Sequence, residues 1–243
     1  MSAPESHFVR ACKGQPTPVT PVWFMRQAGR YMAEYREVRK HHSIVEICKT
    51  PKLAAQVTIE AAEILGVDAA IIFADLLLPL EVMGIPFHFQ AGEGPVIEKP
   101  VRTAGDVHAL RVDLAGDLNY VAESVRLVVQ HCGSKLPVIG FCGAPFTLAS
   151  YMIEGGGSRN YVETKKLMYR TPDAWDEMMA KLISVLGDYV IEQSSELLVW
   201  PVTSSRSVVS ACTLTVKYGT IRTRTLLMAA RILVGCRAIR MGR

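Results

Sequence analysis

Apolar positions through the first four-fifths of the chain alternate between short unbroken runs and helical spacing. Val22-Trp23-Phe24-Met25 predicts a first strand and Met32 to Lys40 a helix. A second helix is framed by Thr50 as N-cap, Pro51 at the first helical position and Gly66 at the end, with Leu53, Val57, Ala61, Ile64 and Leu65 on one face. Ala69 to Ala74 and Val138 to Cys142 are continuous apolar runs, the pattern of strands buried on both faces. Between them lie a Gly- and Pro-rich stretch, Pro86 to Pro100, with short extended pieces, and an amphipathic helix, Leu118 to Cys132, stopped by Gly133. Thr171-Pro172 opens a long helix through Trp175, Met178, Leu182, Leu186 and Tyr189. Strand–helix alternation of this kind predicts an α/β fold with parallel strands joined by right-handed crossovers. Sites in such folds collect at the carboxyl ends of strands.

Composition narrows the classes. A hydrophobic fraction of 49% and a charged fraction of 21% over 243 residues suit a globular core. The most apolar stretch, Val67 to Ile85, is broken by Asp68, Asp75 and Glu81, so no membrane span is expected, and without a signal segment at Met1 to Gly14 the expected location is cytoplasmic. The six cysteines, Cys12, Cys48, Cys132, Cys142, Cys212 and Cys236, have neither zinc-knuckle nor redox spacing and read as reduced, partly buried thiols. His41-His42 and His131-Cys132 read as surface or helix-end residues, and Gly155-Gly156-Gly157-Ser158 as a flexible turn. The net charge of +4 arises from residues 197–243, which hold eight Lys or Arg and no Asp or Glu. A basic tail of this kind suits nucleic acid, but no recognised motif or aromatic interleaving accompanies it.

Candidate chemistry follows the strands. Arg26 and Arg30 flank Ala28-Gly29, and two guanidinium groups so close call for an anion such as a carboxylate between them. Asp75 ends the second run, and Gly143 to Tyr151 follow the third.

The stretch Trp23-Phe24-Met25-Arg26-Gln27-Ala28-Gly29-Arg30-Tyr31-Met32 closely resembles a signature of the uroporphyrinogen decarboxylase family. Ile72-Phe73-Ala74-Asp75-Leu76-Leu77, Ala91 to Pro95 and Gly140 to Gly156 are similar to three further motifs of that family, in order and spacing. The resemblance runs from about Pro16 to Gln193, with Ala33 standing where the family often has proline. It implies a (β/α)8 barrel, of which about the first three βα units are recognisable, and cofactor-independent decarboxylation of the four acetate arms of uroporphyrinogen to give coproporphyrinogen, with no metal. It also implies that Arg26, Gln27, Ala28, Gly29 and Arg30 bind substrate carboxylates, with Arg39 a further candidate. Asp75 would face the four pyrrole N–H groups and Tyr151 the reacting acetate, as binding and catalytic residues. A homodimer is implied; nucleic acid and membrane are not expected as partners.

The resemblance stops after Gln193. Ser194-Ser195-Glu196-Leu197-Leu198-Val199-Trp200-Pro201 replaces the family's Ala-Gly-rich turn and fourth strand, and the family's fourth-strand hydroxyl residue and late histidine have no counterpart. The chain therefore divides into 1–193, a barrel-like N-terminal part, and 194–243, an atypical basic tail. An open barrel fragment exposes apolar edges, so poor stability or aggregation and little turnover are expected of this chain alone. Two other readings compete: a corrinoid-dependent methyltransferase-like protein of the same superfamily, and a non-catalytic porphyrinogen-binding fragment. Loss of the reading frame near Gln193 would account for the tail, a genuine alternative C-terminus being the other possibility. Sequencing the DNA across codons 185 to 205 is expected to reveal a family-like continuation in another frame, and its absence refutes that origin.

Overall fold

The computed structural model describes residues 6–197, apart from 91, 93, 113–115 and 134–135. The tail from 198 onward lies outside the described residues. In chain order the elements are α1 (His7–Cys12), α2 (Ala33–His41), α3 (Ile44–Lys49), α4 (Pro51–Leu65), β1 (Ala70–Ile71), α5 (Leu78–Val82), β2 (His88–Gln90), β3 (Gly94–Val96), α6 (Ala104–His108), α7 (Asn119–Cys132), β4 (Val138–Ile139), α8 (Pro145–Glu154), α9 (Val162–Arg170) and α10 (Pro172–Leu197). The last helix crosses the expected boundary at Gln193 without a break.

The parallel pairing holds. β1 and β4 run parallel with Ala70 opposite Val138 and Ile71 opposite Ile139, joined by Ala70 N–H to Pro137 O at 2.9 Å and Ile72 N–H to Ile139 O at 3.0 Å. Side-chain alternation sends Ala70 and Ile72 against Ala55 and Ala62 of α4 and Val125 and Val128 of α7. Ala69 and Ile139 point the other way, onto Phe8 of α1 and Trp23. Small residues on the inner face of α4 let that helix approach the strands closely. A third layer forms where α10 lays Met178, Leu182, Leu186 and Tyr189 against Leu148, Met152 and Ile153 of α8. The stretch between the strands contains a β2–β3 hairpin, registered as His88 to Val96 and Gln90 to Gly94.

One expected strand is absent. Val22 to Met25 joins no ladder, so two parallel strands are described where three were expected. The reason is chemical: side chains stand in for its backbone. Val22 N–H donates to the Asp68 carboxylate at 2.7 Å, and Asp68 N–H returns a bond to Val22 O at 2.8 Å. The buried Gln27 amide donates to Ala69 O at 2.7 Å and accepts from Ile71 N–H at 3.0 Å. Those are the two groups flanking Ala70, the pair a parallel neighbour would engage. Gln193 does the same beyond β4, bonding both Phe141 N–H (3.2 Å) and Phe141 O (3.1 Å).

Other expectations need smaller adjustments. Thr50 caps α4 by position, but its side chain makes no capping bond. Gly155 is no flexible turn: at φ 85° it ends α8, accepts from Ile97 N–H at 2.8 Å, and lies so close to Pro100 that a Cβ would meet its Cγ at 2.9 Å.

Replacing Gln27 by Ala strands the Ala69 carbonyl and the Ile71 N–H in the core. We expect a loss of about 1–3 kcal/mol, read by urea unfolding; a loss below roughly 0.5 kcal/mol, the range of surface substitutions, contradicts the bridging role.

Candidate active site

The arginine loop is built around Gln27. With its amide fixed to β1, its own carbonyl accepts from the Tyr31 hydroxyl. The Tyr31 ring then folds over Gly29, where a Cβ would lie 2.9 Å from the ring edge, so any larger residue there would push the exposed ring aside. Met32 N–H closes the turn on Gly29 O at 2.9 Å. The Arg36 guanidinium clamps Arg30 O at 2.8 Å and Tyr31 O at 2.9 Å. Held this way, Arg26 and Arg30 are exposed, and neither has an ion-pair partner among the described residues. The N–H groups of Gln27, Ala28 and Gly29 likewise have no acceptor among them, leaving donors and two cations facing outward. Arg39 is differently employed: its guanidinium bonds His42 O at the end of α2.

Asp75 lies four residues beyond β1, in the turn that opens α5. Its Oδ1 accepts from Leu77 N–H at 2.8 Å. Burial pushes its pKa up, and the Leu77 bond acts against that shift. The thiol of Cys48, on α3, is pushed up to about 12 by burial and, secondarily, by the Asp75 charge, so it is a neutral neighbour and no nucleophile.

Tyr151 is on α8, half-buried against the main core. That helix is fixed at its far end by Glu154, whose Oε1 accepts from both Thr164 N–H and Thr164 Oγ1 at 2.8 Å. Just before α8, a Cβ on Gly143 would meet Leu148 Cδ1 at 2.1 Å and Leu76 Cδ2 at 3.6 Å, so the post-β4 loop packs beside the Asp75 turn.

The expected residues thus sit at the carboxyl ends of neighbouring segments. The Asp75 turn and the Gly143–Tyr151 segment share one core. The arginine loop joins them through Tyr35, whose hydroxyl feels Arg39 and, more weakly, Arg30, and whose ring packs on Phe73 at 5.5 Å. Sequence reasoning passed over Arg36, Cys48 and Tyr35. The sequence offers a signal for the first, a third arginine six residues after Arg30, and none for the others. Among the described residues no three His, Cys, Asp or Glu side chains gather to form a metal centre, and His131 pairs with Glu63 at 2.8 Å.

Parallel strands joined through helices place the chain among α/β proteins. The fold is shared with a methyltransferase from Methanosarcina mazei, with a TM-score of 0.63 and 19% identity over 78% of this chain and 55% of that one. At that identity the likeness is one of fold alone. By sequence the chain belongs to the uroporphyrinogen decarboxylase family, whose model matches residues 3–197. It is 71% identical over 193 residues to a uroporphyrinogen decarboxylase of Koribacter versatilis, covering 79% of this chain and 55% of that protein. It is 56% identical over 188 residues to one of Solibacter usitatus (77% and 54%), and 57% identical over 187 residues to one of Carboxydothermus hydrogenoformans (76% and 53%). The chain spans about half the length of the curated relatives it matches.

Because the native state of Asp75 holds its proton where the unfolded chain has lost it, stability falls as pH rises from the unfolded value, about 3.9, through the raised native midpoint. Asp75→Asn keeps an acceptor for Leu77 N–H and removes the buried charge. It is expected to melt higher than the parent at pH 7 and to lose that advantage near pH 3. Equal melting differences at both pH values count against a buried, charge-penalised carboxylate.

Proposed function

We propose that this chain carries the carboxylate-binding side of a uroporphyrinogen decarboxylase site. Arg26 and Arg30 would grip substrate carboxylates, with the N–H groups of Gln27, Ala28 and Gly29 as further donors. Asp75 would accept the pyrrole N–H groups, and Tyr151 would hydrogen-bond near the reacting acetate. The observation that carries the reading is the arginine loop: two exposed cations without ion-pair partners among the described residues, held by Gln27 beside a strand that leads to a partly buried carboxylate. A substrate with eight carboxylates needs such charge, and guanidinium–carboxylate bonds are the strong kind.

The proposed chemistry draws on the substrate's own electrons. A proton adds to a ring carbon of the pyrrole bearing the acetate arm, making that ring a cation. The bond to the carboxylate carbon then breaks, carbon dioxide leaves, and the electron pair neutralises the ring. A second proton, taken by the exposed methylene, gives the methyl group while the ring proton departs. A fixed carboxylate at Asp75 stabilises the ring cation, which is electrostatic preorganisation. No metal or organic cofactor enters this scheme.

Within the same proposal, residues 1–193 occupy the place of the first three strand–helix units of an eight-fold barrel, and 194–243 form a separate basic tail. The parent enzyme would be a cytoplasmic homodimer. The fold likeness to a methyltransferase brings no chemistry with it, since it rests on 19% identity.

Titration with uroporphyrin, followed by fluorescence, tests the reading. The parent chain is expected to bind, and Arg30→Ala to bind roughly 10- to 100-fold more weakly, the worth of one charged hydrogen-bonded contact. Unchanged affinity in the variant removes the arginine loop from the site. Binding without carbon dioxide release from uroporphyrinogen identifies a non-catalytic fragment.

A further inference from the structure

The arginine loop begins beside β1 at Gln27 and runs into α2 at Ala33, and its two ends are held by different side chains. At the first end the Gln27 amide is bonded to Ala69 O and Ile71 N–H. At the second, Arg36 reaches back from α2, and Nη1 of its guanidinium donates to Arg30 O at 2.8 Å and to Tyr31 O at 2.9 Å. Neither carbonyl accepts from a backbone N–H among the described residues. No carboxylate pairs with Arg36 among them either, so its polar contacts all go to the loop. Met32, the N-cap residue of α2, makes no side-chain capping bond. Apart from Met32 N–H to Gly29 O at 2.9 Å, the Arg36 bonds are therefore what tie the backbone of Arg30 and Tyr31 to the helix.

The helix itself is fixed. Met32 and Tyr35 are buried with Val57 and Ala61 of α4, and the Tyr35 ring packs on Phe73 at 5.5 Å. Two residues before Asp75, Phe73 N–H donates to Thr58 Oγ1 of α4 at 2.8 Å. A continuous path of bonded and packed groups thus runs from Arg30 through Arg36, Tyr35 and Phe73 to the Asp75 turn. Arg26 lies on the other side of Gln27, outside that path. We propose that Arg36 is a positioning residue for Arg30: hooked over the two carbonyls, it sets where the Arg30 guanidinium stands relative to Asp75, while Gln27 does this for Arg26. A loop that must be ordered as the ligand arrives loses affinity to that ordering, and a clamp made beforehand removes the loss. The inference rests on reading Arg30 as a carboxylate ligand. Lys181, which bonds Val107 O at 2.9 Å and His108 O at 2.8 Å, shows that an ammonium can also bridge consecutive carbonyls in this protein.

The test is a pair of double-mutant cycles read by uroporphyrin titration of the full chain. Arg36→Met is expected to weaken binding roughly three- to tenfold, the worth of a typical hydrogen bond, and Arg36→Lys to restore most of it. In the Arg30→Ala background Arg36→Met should change affinity by less than about twofold, because the group it positions is gone, while in the Arg26→Ala background the full loss should remain. Losses that add in the Arg30→Ala background mark a guanidinium that touches the ligand itself or only adds charge, and they overturn the proposal. Equal coupling of Arg36 to Arg26 and to Arg30 marks a loop loosened throughout, which also overturns it. Should Arg36→Met not fold, the Nη proton resonances of Arg36 in the unsubstituted chain decide. Separate signals are expected of a guanidinium held on two carbonyls, and one rotationally averaged signal removes the clamp. An Arg30→Ala variant that binds like the parent removes the reading of the site and this inference with it. Weakened binding in Arg30→Ala with unchanged binding in Arg36→Met removes this inference alone.

Discussion

The Gln27 side-chain amide, bonded to Ala69 O and Ile71 N–H, is the interaction on which the arrangement of the site depends. It completes the hydrogen bonding of β1 on its open side, where a buried unpaired carbonyl and N–H would otherwise be left. In the same act it anchors the chain between two arginines. From that anchor follow the Tyr31 bond to Gln27 O, the tight turn at Gly29 and the Arg36 clamp. The bonding of β1 and the placement of two exposed arginines thus share one side chain, a glutamine that is itself buried.

What periodicity reveals and what it hides divides along physical lines. The helix α4 was legible because Pro51 and Gly66 mark its ends and its apolar face repeats at helical spacing. β1 and β4 were legible as unbroken apolar runs, and their parallel pairing followed from the helices between them. Val22 to Met25 looked like a strand because its residues are apolar, yet Phe24 and Met25 are 49% and 58% exposed. Side-chain groups of Asp68 and Gln27 took over the backbone bonds that a strand would have made, and no hydrophobic pattern records such a substitution. The short helices α3 and α6 are below the length at which periodicity speaks, although their capping boxes, Ser43 with Glu46 and Thr103 with Asp106, were present in the sequence. The candidate site was legible as motifs, while Cys48, close enough to Asp75 to feel its charge, read only as one of several buried thiols.

Burial gives Asp75 a second character. A carboxylate lifted in pKa by its surroundings is poised to respond to whatever is placed above it, and a ring of N–H donors or a cation favours its charged form. In the proposed site the substrate itself would therefore complete the electrostatics, because among the described residues the partly buried carboxylate is paired with no resident cation.

The contact between Gly155 and the Ile97–Pro100 segment has a mechanical meaning. Ile97 N–H bonds Gly155 O at 2.8 Å, and Val101 N–H bonds Met152 O at 2.9 Å, so the strand leaving the β2–β3 hairpin is riveted along the last turn of α8. Tyr151 sits on that same turn. The hairpin and the turn that carries Tyr151 are accordingly one tied unit, so the place of the Tyr151 hydroxyl is set from outside its own helix, by the backbone bonds of the segment that follows the hairpin.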